Sequence, residues 1–131
     1  MVVAVLIAAA ARAEADPNPT ARLVYTRGPD ATGCPDEDEL RNTVAARLGY
    51  DPFQTDAPST VAATISRVGR GLRAVVELRD MVGKVAGRRE LASNTTDCTE
   101  LASAVALAIS IAIDPLTLTR PAPPPPPPAP P

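Results

Sequence analysis

Residues 60–91 read TVAATISRVGRGLRAVVELRDMVGKVAGRREL, and apolar side chains recur in them at every second position. Alternation with a period of two is typical of β-strands that have one buried face and one solvated face. Glycines punctuate the pattern at the two places where the chain would reverse. These residues therefore predict a three-stranded antiparallel meander that forms the floor of a hydrophobic core.

The three predicted strands share one apolar face. The residues expected on it are Val61, Ala63 and Ile65, then Leu72, Ala74, Val76 and Leu78, and finally Val85 and Leu91. Arg73, Glu77 and Arg79 alternate with the second set, so they should point to the solvent. Glycines on either side of Arg70 predict the first turn, and residues 80–83 predict the second.

A helix is predicted before the meander, over the sequence CPDEDELRNTVAARLG at residues 34–49. Pro35 suits the first helical position, and the four acids after it suit the positive end of the helix dipole. Successive helical residues point in different directions, so these acids do not predict a cation site. Its apolar stripe consists of Leu40, Val44 and Leu48, and its C-terminal stop is Gly49. The helix should be amphipathic and should cover one side of the sheet.

A second helix is predicted after the meander, over DCTELASAVALAISIAIDPL at residues 97–116. Asp97 and Glu100 have the spacing of a capping pair, and Pro115 should end the helix. The uncharged run 101–113 rises only about 20 Å, which is too short to cross roughly 30 Å of hydrocarbon. We therefore expect a buried core helix, packed more deeply than the first.

The alternation of Ala21, Leu23 and Tyr25 with Arg22, Val24 and Thr26 predicts one more strand at the start of the chain. The element order is then β-α-β-β-β-α. This order predicts an α+β two-layer sandwich, in which a mostly antiparallel sheet carries two helices on one face.

The two cysteines, Cys34 and Cys98, both lie near predicted helix starts. A metal site or a redox pair would need closely spaced thiols or histidine partners, and the chain has neither a C-x-x-C motif nor a histidine. The pair is therefore interpreted as a structural disulfide that holds the two helix starts together. No metal or cofactor site is predicted.

The two ends of the chain differ in composition from the domain predicted over residues 20–118. Residues 1–13 are apolar and end in Ala-Arg-Ala, which is typical of a secretory signal peptide and its cleavage site, although the positively charged start is missing. A proline-rich linker or tail is predicted over residues 119–131, and its proline tract should form an extended polyproline II rod of about 34 Å. We expect a periplasmic or secreted domain on a proline-rich stalk.

Composition excludes several function classes. The net charge is −2, and two Tyr, one Phe and no Trp are available for stacking, so binding to nucleic acid or carbohydrate is disfavoured. Without histidine or a G-x-S-x-G motif, the chain is predicted not to be an enzyme. Two alternatives stay open: a carboxylate-dependent enzyme of unknown substrate, and a small inhibitor-like domain that presents the loop at residues 50–58.

A possible interaction surface is formed by Tyr50, Phe53, Arg70, Arg73 and Arg79. The two aromatic residues have an alternative interpretation as a lid over the sheet edge. The arginines could meet anionic lipid, or they could belong to a solvated face that protects the edge of the sheet.

Three segments carry a resemblance to a known group of proteins. They are GCPDEDELRNTVAARLGYDPF at residues 33–53, GRREL at residues 87–91 and DCTELASAVALAISIAIDPL at residues 97–116. Together they resemble an uncharacterised N-terminal module of bacterial envelope proteins. In those proteins the signal peptide, module and proline tract are commonly followed by a predicted outer-membrane β-barrel. The present sequence ends in the proline tract, so the resemblance implies a truncated product or a lost barrel.

The layout is also similar, at the level of the fold only, to the N-terminal α/β domain of TolB-type periplasmic proteins. Neither resemblance implies an activity or supplies catalytic residues. The sequence as a whole predicts a non-catalytic periplasmic interaction module. Its expected partner is an unknown envelope protein or a membrane-proximal molecule, and the module itself is not transmembrane once the signal peptide is removed.

Overall fold

The computed structural model describes residue 4, residues 18–119 and residues 128–129 of the 131-residue chain. Its strands are β1 (Arg22–Arg27), β2 (Thr60–Val68), β3 (Gly71–Arg79) and β4 (Val85–Ser93), its helices are α1 (Glu37–Leu48) and α2 (Thr99–Ile113), and a 3-10 helix follows at Pro115–Thr119. The predicted signal peptide at residues 1–13 and the predicted proline-rich tail at residues 119–131 lie almost entirely outside the described residues.

The four strands form one mixed sheet in the order β1-β2-β3-β4. β1 pairs with β2 in parallel, through a crossover that contains α1, whereas β2, β3 and β4 form an antiparallel meander. Gly69 has φ 58° in the two-residue turn between β2 and β3, where a hairpin commonly places glycine. The carboxylate of Asp80 closes the next turn by accepting the main-chain N–H groups of Val82 and Lys84. The predicted meander and the predicted α+β class are confirmed.

Both helices pack on the same face of the sheet. The sheet residues buried in this core are Ala21 and Leu23 of the first strand region, Val61, Ala63 and Ile65 of β2, and Leu72, Ala74 and Val76 of β3. α1 adds the three residues of the predicted stripe, Leu40, Val44 and Leu48. α2 buries a larger share of its residues, including Val105 and Ile109, which confirms its deeper packing. No helix in the described part of the chain is long and apolar enough to cross a bilayer.

The phase predicted for the third meander strand is wrong at Val85. Leu78 pairs with Gly87 but Arg79 pairs with Val85, so a bulge at Ala86 shifts the alternation by one residue. Val85 therefore shares the solvated face with Arg79 and is 46% exposed. A bulge adds a residue to one strand, and the alternation pattern alone does not reveal it.

The start of α1 is also shifted from its predicted place. Asp36 is the N-cap and its carboxylate accepts the Glu39 N–H at 2.8 Å, so Pro35 precedes the cap and is not the first helical residue. A carboxylate at the N-cap satisfies one of the unpaired donors of the first turn, which explains its preference for this position. The predicted stop is confirmed, because Gly49 caps the other end with φ 81°.

At α2 the predicted pairing of Asp97 with Glu100 is wrong. The N-cap is Cys98, and the Asp97 carboxylate accepts both the main-chain N–H and the hydroxyl of Thr99. These hydrogen bonds, the one from the Thr99 side chain first, lower the pKa of Asp97. Glu100 takes no part in the cap within the described residues. The disulfide at Cys98 fixes the helix start where a capping side chain was expected.

Replacing the N-cap of α1 is expected to weaken the domain measurably. Asp36→Ala leaves the Glu39 N–H without its partner and should lower the free energy of unfolding by about 1 kcal/mol. Asp36→Asn keeps the accepting oxygen and should lose only a small part of that. Urea unfolding followed by circular dichroism measures both. Equal losses in the two variants would show that the hydrogen bond is not the source of the effect.

Candidate functional site

The two cysteines form the predicted disulfide. The Cys34 and Cys98 sulfur atoms are 2.09 Å apart, the Cα atoms are 5.1 Å apart, and both residues are buried. The bond joins the loop before α1 to the N-cap of α2. Farther along, the Arg47 guanidinium donates to the Ser103 hydroxyl at 3.1 Å, so the helices lie side by side. The prediction that the disulfide holds the two helix starts together is confirmed.

The loop that carries Cys34 is also fastened to β1. The Tyr25 hydroxyl donates to the Pro35 carbonyl at 2.7 Å, and the Arg27 guanidinium donates to the Cys34 carbonyl at 2.7 Å. Burial of the Tyr25 ring raises the pKa of its hydroxyl. These hydrogen bonds thus link the disulfide-bonded loop to the outer strand β1.

The sheet face opposite the helices carries a chain of ion pairs. Glu77 pairs with Arg79 at 2.9 Å and with Arg88 at 3.5 Å, while Glu90 pairs with Arg88 at 3.0 Å and also with Arg73. We call these five residues the ion-pair chain. Arg88 is its centre, because it alone contacts both glutamates. The two glutamates of the ion-pair chain compensate part of the positive charge that the sequence places on this face.

Removal of the central arginine should have a small effect that depends on salt. Arg88→Gln breaks two half-exposed ion pairs and is expected to lower the free energy of unfolding by about 1 kcal/mol at low ionic strength. Screening should remove most of this loss at about 1 M salt. The matched control is Arg89→Gln, which removes the same charge from a neighbour that forms no ion pair within residues 18–119. If the loss of stability depended equally on salt in both variants, a specific role for the ion-pair chain would be contradicted.

A groove of about 340 Å³ lies at the outer edge of β1. It is lined by Arg22, Leu23 and Val24 of β1, Arg41 of α1, residues 53–55 and Thr60. We call it the β1-edge groove. Phe53 forms its buried wall, and the Arg41 guanidinium lies 5.2 Å from the centre of the Phe53 ring. Glu37 lies 3.6 Å from Arg41 and offsets part of its charge.

The five residues of the predicted interaction surface do not come together. Phe53 is buried beside Ala21, with which it forms an isolated β-bridge, and the Tyr50 hydroxyl donates to the Pro19 carbonyl. Arg79 lies at the same end of the sheet, because its partner Thr60 pairs in turn with Arg22. These residues border the β1-edge groove or its end of the sheet.

The remaining two arginines lie at the opposite end. Arg73 is six residues from Arg79 along β3, a distance of about 20 Å in an extended strand. Arg70 lies in the exposed turn beyond Arg73. The groove residues Arg22, Val24 and Arg41 were missed by the sequence analysis. One signal pointed to them: Val24 is apolar, although it alternates with the buried residues of its strand.

Candidate metal ligands and buried carboxylates are few among the described residues. Residues 18–119 contain no cluster of three or more acidic or cysteine side chains that could hold a metal ion. Asp114 is the one carboxylate that is buried in this part of the chain. It lies at the end of α2, where its carboxylate accepts the Leu116 N–H at 3.2 Å and its carbonyl accepts from Thr117. This arrangement is that of a helix end.

Comparison with known proteins gives only weak structural similarity, with one solved structure as an example. No protein-family model matches the chain, and no curated protein matches it. The structure of TolB from Acinetobacter baumannii is similar with a TM-score of 0.43 and 13% sequence identity, over 78% of this chain and 29% of that chain. The chain thus spans less than a third of the TolB chain, and a similarity of this size carries no argument about function.

Proposed function

We propose that this chain is a non-catalytic interaction module of the cell envelope, which works outside the cytoplasm on a proline-rich stalk. The observation that carries the proposal is the buried disulfide between Cys34 and Cys98. Disulfides persist in oxidising compartments, and small exported domains use them to supplement a limited hydrophobic core. The signal-like start of the sequence and its proline-rich end support the same location.

A non-catalytic role agrees with the distribution of reactive groups. Both thiols are consumed by the disulfide, and the chain has no histidine. General acid-base chemistry would then depend on carboxylates, whose pKa values are usually shifted by burial or by a close partner in an active site. Asp114, the buried carboxylate, is engaged at the end of a helix. A binding role therefore has more support than an enzymatic one.

The inhibitor-like alternative has less support from the loop at residues 50–58. Pro52, Phe53 and Ala57 are buried, so Phe53, the largest apolar side chain of the loop, turns toward the domain, while Asp51, residues 54–56 and Pro58 are exposed. A loop that anchors itself in another protein's cleft by its aromatic side chain would expose that side chain. We therefore keep the interaction module as the proposed function.

Export and oxidation are tested with the full chain, carrying a C-terminal epitope tag, in a Gram-negative bacterial host. The expected result is a shortened N-terminus, recovery with the envelope or periplasmic fraction, and cysteines that resist alkylation until a reductant is added. Recovery from the cytosol with Met1 intact and both thiols reduced would overturn the proposal.

The interaction role is tested in the same cells by photo-crosslinking from exposed positions distributed over the domain. A module that works by binding should give a discrete adduct from a contiguous set of positions. Correct export without any adduct would exclude an interaction role, and only the proposed location outside the cytoplasm would stand.

A further inference from the structure

The sheet has two outer strands, β1 and β4, and they differ in how their open edges are protected. β4 has a bulge at Ala86, a glycine at position 87 and a run of charges at residues 88–90. Such features are known to prevent another strand from pairing with an edge. β1, with the sequence RLVYTR, has no glycine and no bulge, and its register with β2 is regular throughout.

The main chain of β1 presents free hydrogen-bonding groups along this edge. The N–H groups of Arg22 and Gly28 donate to Ser59 and Ile65, so the even-numbered residues of the strand face β2. The N–H and C=O groups of Leu23 and Tyr25 therefore point outward, because these groups alternate in direction along a strand. Among residues 18–119, none forms a hydrogen bond with them.

Part of the same edge is already occupied by the chain itself. The Ala21 N–H donates to the Pro52 carbonyl at 3.0 Å, and the Gln54 N–H donates to the Ala21 carbonyl at 3.1 Å. Residues 52–54 thus act as a short added strand beside Ala21, and the chain then leaves the edge. The pairing that begins at Ala21 stops where the β1-edge groove opens.

The charge and shape of the groove define what could continue this pairing. Its lining is mainly apolar, and both of its charged residues, Arg22 and Arg41, are positive. Arg27 lies at the far end of the strand, where its guanidinium is held by the Cys34 carbonyl, so Arg22 is the main charge that a ligand would meet. Arg22 forms no ion pair within the described residues, whereas Glu37 offsets Arg41. This local positive charge contrasts with the net charge of −2 of the whole chain.

We propose that the β1 edge binds an extended acidic peptide segment of a partner protein, which adds to the sheet as a fifth strand. The main chain of the peptide would pair with Leu23 and Tyr25, an apolar side chain would fill the β1-edge groove, and a carboxylate would meet Arg22. Strand addition of this kind obtains affinity from the main chain and specificity from alternate side chains. The inference rests on the proposed function, since it names the surface through which the module binds.

Two other occupants fit the edge less well. The proline-rich end of the chain lacks main-chain N–H donors, so it cannot form the ladder of an added strand. A second copy of the domain would bring its own loops against residues 52–54 and against the loop at residues 28–35. The open stretch between these two loops is only about five residues long, which suits a peptide.

The test uses the purified, oxidised full chain labelled with ¹⁵N and the peptide acetyl-EVEVEVE-amide as probe. We expect the amide resonances of Leu23 and Tyr25 to shift, and their hydrogen exchange to slow by about tenfold, because new hydrogen bonds protect them. Arg22→Glu should weaken binding by about fivefold through repulsion of the peptide carboxylates. The matched control is Arg70→Glu, the same charge change in a distant turn, which should leave affinity unchanged.

Two control peptides separate pairing from simple charge attraction. Acetyl-KVKVKVK-amide should bind much more weakly, and a version of the acidic peptide with alternate main-chain nitrogens methylated should lose binding. The proposal is overturned if the methylated peptide binds equally well, if protection maps to β4, or if no binding occurs at millimolar peptide. It is also overturned if the chain alone dimerises and protects Leu23 and Tyr25, since the occupant is then a second copy. Export and crosslinking in cells are independent of these measurements, so either proposal can fail without the other.

Discussion

Removal of the disulfide by Cys34→Ser together with Cys98→Ser is expected to lower the free energy of unfolding by roughly 4 kcal/mol. The two cysteines are 64 positions apart, so the bond restricts a long loop of the unfolded chain. A domain of this size typically has a net stability of about 5–15 kcal/mol, and the loss would be a large share of it. The variant should melt at a much lower temperature and should be partly unfolded under conditions where the wild type is folded.

Three samples separate the effect of the bond from the effect of the substitutions. They are the oxidised wild type, the wild type under a reductant, and the double serine variant, each unfolded in urea. Reduction alone should reproduce most of the loss, because both sulfur atoms are buried and no other residue changes. A double alanine variant controls for the cost of placing hydroxyl groups in the core. Stability that is unchanged on reduction would contradict a structural role and remove the main support for an extracytoplasmic location.

The disulfide also bears on the β1 edge. Cys34 lies in the loop that Tyr25 and Arg27 fasten to β1. Reduction should therefore loosen the strand at which the peptide is proposed to bind. We expect the amide exchange of β1 to respond to reduction more strongly than that of the β2–β3 hairpin, whose pairing is independent of the loop.

The meander was predictable from the sequence because each of its first two strands has one face in the core. Val61, Ala63 and Ile65 must be apolar for this reason, and their alternation is visible directly. β4 lies at the edge, where Gly87 and Arg89 occupy the core-side face without being covered. Burial imposes no apolar pattern there, so the bulge that turned Val85 outward left no trace in the alternation.

The disulfide was predictable because only one pair of cysteines exists. The β1-edge groove was not, since Arg22, Arg41 and Phe53 are distant in sequence and are brought together by the crossover and by the bridge to Ala21. The helix caps were only partly predictable from the sequence. Gly49 was predicted by its position after an apolar stripe, whereas the choice between Pro35 and Asp36 as the start depended on a hydrogen bond that composition does not show.

The depth at which α2 is buried can be tested within the helix itself. Ile109 is fully buried, while Leu107, two residues earlier, is 36% exposed. Ile109→Ala should lower the free energy of unfolding by about 3 kcal/mol, because it removes buried apolar atoms and leaves a cavity between the helix and the sheet. Leu107→Ala removes a side chain of the same size and should cost only about 1 kcal/mol, since over a third of that residue is already exposed to water and no enclosed cavity is left.

The pair of variants distinguishes two environments for the uncharged run at residues 101–113 of α2. If α2 is the core of a two-layer sandwich, the loss depends on which face the substituted residue occupies, and the two variants differ by about 2 kcal/mol in urea unfolding. Equal and large losses would mean that the Leu107 side of α2 is also covered, by another copy of the chain or by a second protein. The concentration dependence of the unfolding midpoint separates these cases, because stability that comes from association increases with protein concentration. A midpoint that does not depend on concentration, together with unequal losses, is the result expected of a monomeric domain that binds through its sheet edge.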